Sequence, residues 1–436
     1  MQEEHPPIAP SLEVETPVRA GRAALIFIFV TVTIDILAFG VIIPVLPHLI
    51  QQLVGGSIAT ASIWSGVFST VFALTQFVCS PIQGTLSDRF GRRPVILLSC
   101  LGLGADFIVM ALANTLPLLF VGRIISGITA ASFSTSNAYI ADVTPKEKRA
   151  QAFGMLGAAF GIGFVVGPAL GSLLSSLDVR APFWGAAGLA LCNFLYGFFV
   201  LPESLPPGRR SPRFDWSHAN PLGALLRLRR YPQVFGLAVV VFLWNVAHTV
   251  LPATFVLYAD YRYHWGQRTV GYVLAAVGVC GAIVQAGFAG RVSSKIGERR
   301  TLLLGSVFGA LGFGIYGLAS QGIWFLIGIP IMSLWGLASP ATQALMSKQV
   351  DPSEQGRLQG AVSSLTSIAG VFAPFLFASL FAAAISPGAR FQLPGAAFLL
   401  SSALVLAGAS VGWRVTRPNA ERSSQKEHSR AKGFFE

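Results

Sequence analysis

Residues 84–94 read GTLSDRFGRRP, and residues 290–300 read GRVSSKIGERR, a partial repeat at an offset of 206. The same offset carries Gly167-Pro168 onto Ala373-Pro374, so the chain is built from two related halves. On either side of each copy the sequence is almost uninterruptedly apolar. Of 436 residues, 53% are hydrophobic and 11% charged, with 46 glycines and a mean hydropathy of +0.63. A soluble domain carries about 25% charge, so these residues fold only if lipid hides them.

Setting aside a polar head, a polar tail and a Pro/Arg-rich middle leaves roughly 360 apolar residues, enough for about twelve bilayer-spanning helices. They are expected near 23–46, 62–83, 94–113, 117–140, 150–175, 181–201, 232–257, 269–290, 301–319, 323–346, 357–384 and 393–414. Segments so long and apolar must be helical, because lipid offers no partner for stray backbone groups and barrel strands alternate and run shorter. The expected fold is an all-α membrane protein. Six spans fall within one repeat offset, an even number, so the two six-helix repeats are parallel, related by an axis along the membrane normal. The organisation is a head (1–22), a first bundle (23–201), a linker (202–231), a second bundle (232–415) and a tail (416–436). In the linker, Asn220, Pro221, the stripe Leu222, Leu225, Leu226 and the following Arg227, Arg229 and Arg230 predict a short helix on the membrane surface.

The formal charge is +12, and position decides its meaning. Lys and Arg crowd into the head, the tail and the loops after even-numbered spans, while the alternate loops are nearly free of them. By the positive-inside rule both termini are cytoplasmic, in a multi-pass inner-membrane protein. Basic residues so dispersed, with no groove interleaved with aromatics, exclude nucleic acid as a partner. Cys79, Cys100, Cys192 and Cys280 all fall within spans without metal-like spacing, so neither a disulfide nor a metal site is expected. The head is acidic and proline-rich, unlike a cleaved signal peptide. Six histidines without ligand spacing, no phosphate loop and no nucleophile motif speak against an enzyme and imply no cofactor.

In the turn at 84–94, Gly84 permits close helix approach, Gly91 can take a left-handed conformation and Pro94 starts a span. Asp88 sits among Arg89, Arg92 and Arg93, where it can accept charge-assisted bonds or face a helix N-terminus. This placement, partly repeated in the second half, predicts a gate. Arg149, at the start of span 5, can pair with Asp88 in one of two alternating states. Span 5 itself carries Gly157, Gly161, Gly163, Gly167 and Gly171, a bare face for tight packing, with Pro168 adding a bend.

Three charged residues lie inside spans, away from their ends. Asp35 and Asp106 each stand about twelve residues into a span, roughly 18 Å deep. A carboxylate there costs about 3 kcal/mol to insert, which makes both candidate proton carriers. Arg123, about 9 Å deep in span 4, needs an acidic partner, and Asp35 is the first choice. Asn137, Asn245, His248 and Gln285 serve either as interhelical hydrogen-bond partners or as ligand contacts.

GTLSDRFGRRP resembles the signature between helices 2 and 3 of the major facilitator superfamily. DILAFGVIIPVLP in span 1, GRIISGITAASFSTSNAYIADVTP in span 4, FGIGFVVGPALG in span 5, LPES after span 6 and SKQVDPSEQGRLQG after span 10 resemble its tetracycline-exporter branch, the drug:proton antiporters. The likeness extends from about residue 24 to 412. It implies export of amphiphilic or tetracycline-like compounds by a monomer using alternating access, with a metal entering only as part of a chelated substrate. It assigns Asp35 and Asp106 to substrate and proton handling, Arg123 to proton coupling and Gln76 to a substrate contact, and its antiporter-like span 5 favours efflux over the alternative, proton-symport import of a metabolite. The branch also carries a histidine in helix 8 and an acid in helix 9, where this chain has Gly281 and Gly309. Coupling is therefore expected to rest on Asp35, Asp106 and Arg123.

Overall fold

A computed structural model describes residues 22–130, 132–144, 149–210, 232–350, 355–389 and 392–417. The expected head, tail and surface helix of the linker lie outside these. Helix α1 is Arg22–Leu53, α2 Ile58–Phe90, α3 Arg92–Leu112, α4 Leu116–Thr129, α5 Ser132–Val143, α6 Arg149–Ser175 and α7 Ala181–Val200. The second half comprises α8 Pro232–His248, α9 Val250–Tyr263, α10 Gln267–Ile283, α11 Gly290–Ile296, α12 Glu298–Leu318, α13 Gly322–Ser333, α14 Ala338–Ser347, α15 Gln355–Ile385 and α16 Ala396–Val415. Among the described residues 11 helical segments are long and apolar enough to cross a membrane. The twelfth crossing is the interrupted pair α4 and α5. The expected spans and the helices coincide closely, the helices running a turn or two further where their polar ends leave the hydrocarbon.

Several spans are not uniform helices. In span 4, α4 ends at Thr129, and buried Gln83 of α2 donates to the carbonyl of Ile128 beside that end. Span 7 breaks at Thr249, span 8 passes through a π-helical turn at Val284–Ala289, and span 10 tightens to a 3-10 helix at Leu334–Leu337. Such departures from 3.6 residues per turn redirect the side chains they carry.

Glycines decide how closely the helices meet. Within the first half, a Cβ at Gly163, Gly167 or Gly171 would strike the α1 backbone at Leu37, Gly40 or Val41. Gly157 and Gly161 lie on a different stripe, with open space before them. The expected single face of five glycines is thus two faces, because residues 161 and 163 are nearly opposite on a helix.

Among the described residues the closest contacts between the halves lie toward one end. Away from the arginine-rich turns, Ser62 Oγ donates to Ala378 O at 2.9 Å, and a Cβ on Gly66 would fall 2.7 Å from Ala378 Cβ. Nearby, a Cβ on Gly271 of α10 would lie 2.8 Å from Pro168 O of α6. Toward the basic face the same two helix pairs part: Gly84 and Gly360, like Gly157, Gly281 and Gly287, have nothing within 4 Å of an added Cβ. The close approach expected at Gly84 is not made by the described residues in this conformation.

Candidate functional site

The deepest charges form a pair. Asp106 is completely buried, and its Oδ2 accepts from Arg123 Nη2 at 2.5 Å. This corrects the expected pairing of Arg123 with Asp35. Helices α3 and α4 are antiparallel neighbours, and Gly122 lets them close: a Cβ there would sit 2.8 Å from Asp106 Oδ1. Asp106 also lies nearer the end away from the basic face than the expected midplane, six residues before the end of α3 or about 9 Å, level with Arg123. Arg123 additionally contacts Met110 Sδ at 3.0 Å and stands 5.8 Å from the centre of the Phe72 ring.

Arg123 opens onto a cavity of about 190 Å³ between the halves, walled by Phe39, Ser65, Ser69 and Phe72 on one side and by Thr249, Pro252, Gly370 and Pro374 on the other. Asp35, Gln76 and Asn137 are not among the residues that line this cavity. Asp35 is half-buried one turn before Phe39, on the α1 face that continues through Ile42, Ile43 and Leu46. Gln76, one turn beyond Phe72, continues the α2 stripe through Ser69 and Phe72. Asn137 is half-buried on α5.

The second-half candidates gather where the spans are irregular. Asn245 donates to Val241 O at 2.8 Å within its own helix, and Thr249 Oγ1 bonds Asn245 O at 2.9 Å across the span 7 break. His248 and Gln285 are both exposed although each lies mid-span. Gly281 has open space before it, whereas Gly309 does not: an added Cβ would lie 2.6 Å from Trp335 Cγ. Sequence reasoning missed Trp335, since an indole in an apolar span carries no signal of its own.

At the basic face, Gly91 has φ +106°, the left-handed turn expected of it, and Gly297, its counterpart at the repeat offset, has φ +81°. Arg92 Nη1 pairs with Asp88 at 2.5 Å and bonds Ser87 Oγ at 2.6 Å, and its Nε bonds Asp142 at 3.1 Å. The N-terminus of α3 is faced by Glu203, which accepts from Arg92 N at 2.8 Å and Arg93 N at 3.2 Å, rather than by Asp88. Arg93 reaches Phe198 O at 2.6 Å, and Tyr139 OH donates to Pro202 O at 3.1 Å. The turn is thereby tied to the ends of spans 4 and 6, and neither Asp142 nor Glu203 was singled out in sequence. The side chain of Arg149 lies outside the described residues. Arg92→Ala is expected to destabilise the solubilised protein by about 1–3 kcal/mol, mainly through Ser87 and Asp142, because half-exposed Asp88 adds little. Arg89→Ala, which loses only an exposed stacking contact with Phe90, is expected to leave the melting midpoint unchanged; equal midpoints for the two variants would contradict this.

Comparison with known proteins agrees with this architecture. The family model described as Major Facilitator Superfamily matches residues 28–374 and 263–435. The chain is 38% identical to the tetracycline resistance protein, class C, of Escherichia coli, covering 88% of this chain and 94% of that protein. It is 37% identical to the class G tetracycline resistance protein of Vibrio anguillarum, covering 83% and 91%. The solved structure of a D-xylose-proton symporter superposes with a TM-score of 0.70 at 17% identity, covering 90% of this chain and 98% of that one, a likeness of fold.

Proposed function

We propose, for a chain that belongs to the major facilitator superfamily, that it exports small amphiphilic compounds in exchange for protons by rocking its two halves about the cavity between them. The carrying observation is the buried Asp106–Arg123 pair opening on that cavity. The high identity to tetracycline resistance proteins supports a substrate of that kind. Charge distribution assigns the basic face, both termini included, to the cytoplasm of an inner membrane. On that assignment the structure is open inward. The single chain holds both halves and the whole cavity, so the working unit is a monomer, driven by the proton gradient without a bound cofactor.

In the inward-open state Asp35, one turn before the cavity-lining Phe39, releases its proton to the cytoplasm and is ionised when substrate enters. After rocking, protons from outside neutralise Asp35 or Asp106. Neutralising Asp106 removes the charge that holds Arg123, which changes the wall facing the substrate as it leaves.

Inside-out vesicles test this. A pH gradient, acid inside, is expected to drive accumulation of a fluorescent amphiphile, and a protonophore to abolish it. Asp35→Asn is expected to reduce uptake to that of empty vesicles at unchanged protein abundance. Unchanged uptake would remove Asp35 from the mechanism, and protonophore-resistant uptake would rule out proton exchange.

A further inference from the structure

Of the four acids in the second half before the tail, Asp260 and Glu298 stand at helix ends, and Asp351 and Glu354 lie outside the described residues. What stands mid-span instead is Trp335 with His248 and Gln285. The indole lies across the backbone notch at Gly309 and is fixed by near-perpendicular Trp244 and Phe313, with ring centres 6.1 Å and 5.5 Å away. His248 approaches to 6.0 Å between centres, tilted by 42°. Gln285 comes from the π-helical turn of span 8, and the Cβ position of Gly336, next to Trp335, lies 3.6 Å from its Cγ.

Three departures from regular helix thus deliver an aromatic face, an imidazole and a carboxamide to one place. His248 and Gln285 are exposed at depths where facing lipid would be costly, so they face the cleft that widens toward the basic face. Resting on the export reading above, we propose that Trp335, His248 and Gln285 form a subsite for a planar aromatic compound with a hydrogen-bonding edge, taken as the free compound and not as a divalent-metal complex. The ring stacks on Trp335, while the edge meets the imidazole and the carboxamide, each able to donate and accept. A hard cation seeks anionic oxygen, and the described residues around Trp335 supply none.

The test uses the full chain in inside-out vesicles with two probes: a bis-benzimidazole dye, which is flat and does not chelate, and tetracycline with Mg²⁺ or with EDTA. The expected result is dye uptake indifferent to EDTA. Trp335→Ala should raise the KM for the dye about tenfold with kcat held within about twofold, and Trp335→Phe should recover most of the affinity. Gly309→Ala, which pushes the indole from its notch, should shift KM in the same direction.

A KM unmoved in Trp335→Ala, or a kcat loss shared by the Ala and Phe variants, would reduce Trp335 to core packing and overturn the subsite. Tetracycline uptake requiring Mg²⁺ together with dye refusal would overturn the substrate class. If the wild type moves no probe on any pH gradient, the export reading fails separately. Equilibrium dye binding to purified protein, followed by the dye's own emission, then still decides the subsite: a Kd raised about tenfold in Trp335→Ala and largely recovered in Trp335→Phe supports it, and a Kd unchanged in Trp335→Ala contradicts it.

Discussion

Arg123→Ala is expected to abolish gradient-driven uptake and to destabilise the protein by about 3–5 kcal/mol, the cost of stranding one member of a buried ion pair. Asp106 is completely buried, and its Oδ2 meets Arg123 at 2.5 Å, so the variant leaves an uncompensated carboxylate that no water can solvate. Loss of folding alone would explain nothing about coupling, and the double neutral variant Asp106→Asn, Arg123→Gln separates the two. Asn is isosteric with Asp, and Gln, though shorter than Arg, is neutral and can still hydrogen-bond, so abundance and melting midpoint should return toward wild type. Uptake driven by the pH gradient should remain absent, because neither residue can then change charge. A double variant that accumulates substrate at the wild-type rate on a pH gradient would show the pair to be structural.

The fold was largely legible in sequence because its determinants are coarse. Apolar length dictates helices in lipid, and the repeat from GTLSDRFGRRP to GRVSSKIGERR dictates two parallel halves. Gly91 was readable as a turn because positive φ is expensive for other residues. Relations between helices were not readable. The partner of Arg123 depends on which helix packs beside span 4, and Gly122, the residue that permits the pairing, looks like any membrane glycine. Glu203 caps α3 from 111 residues away, and no local pattern announces such a bond. The breaks at Thr249, Val284–Ala289 and Leu334–Leu337 are likewise invisible to hydropathy, which averages over them. They nevertheless place His248, Gln285 and Trp335, so the second-half wall emerged only from coordinates.

The open and closed ends of the molecule give the account its most direct test. The seal consists of Ser62 and Gly66 of α2 against Pro374, Phe375 and Ala378 of α15, and of Gly271 in α10 against Pro168 and Ser172 in α6. Small residues make these contacts close without charges to separate, so the seal can part at modest cost. Rocking requires that it part in every cycle, while Gly157, Gly161 and Gly281 at the basic end gain neighbours in exchange. The decisive measurement is transport by the pair Ser62→Cys and Ala378→Cys, in a background lacking Cys79, Cys100, Cys192 and Cys280. Oxidation is expected to cross-link the pair and stop uptake, and reduction to restore it. Full-rate uptake by fully cross-linked protein would contradict alternating access through this cavity.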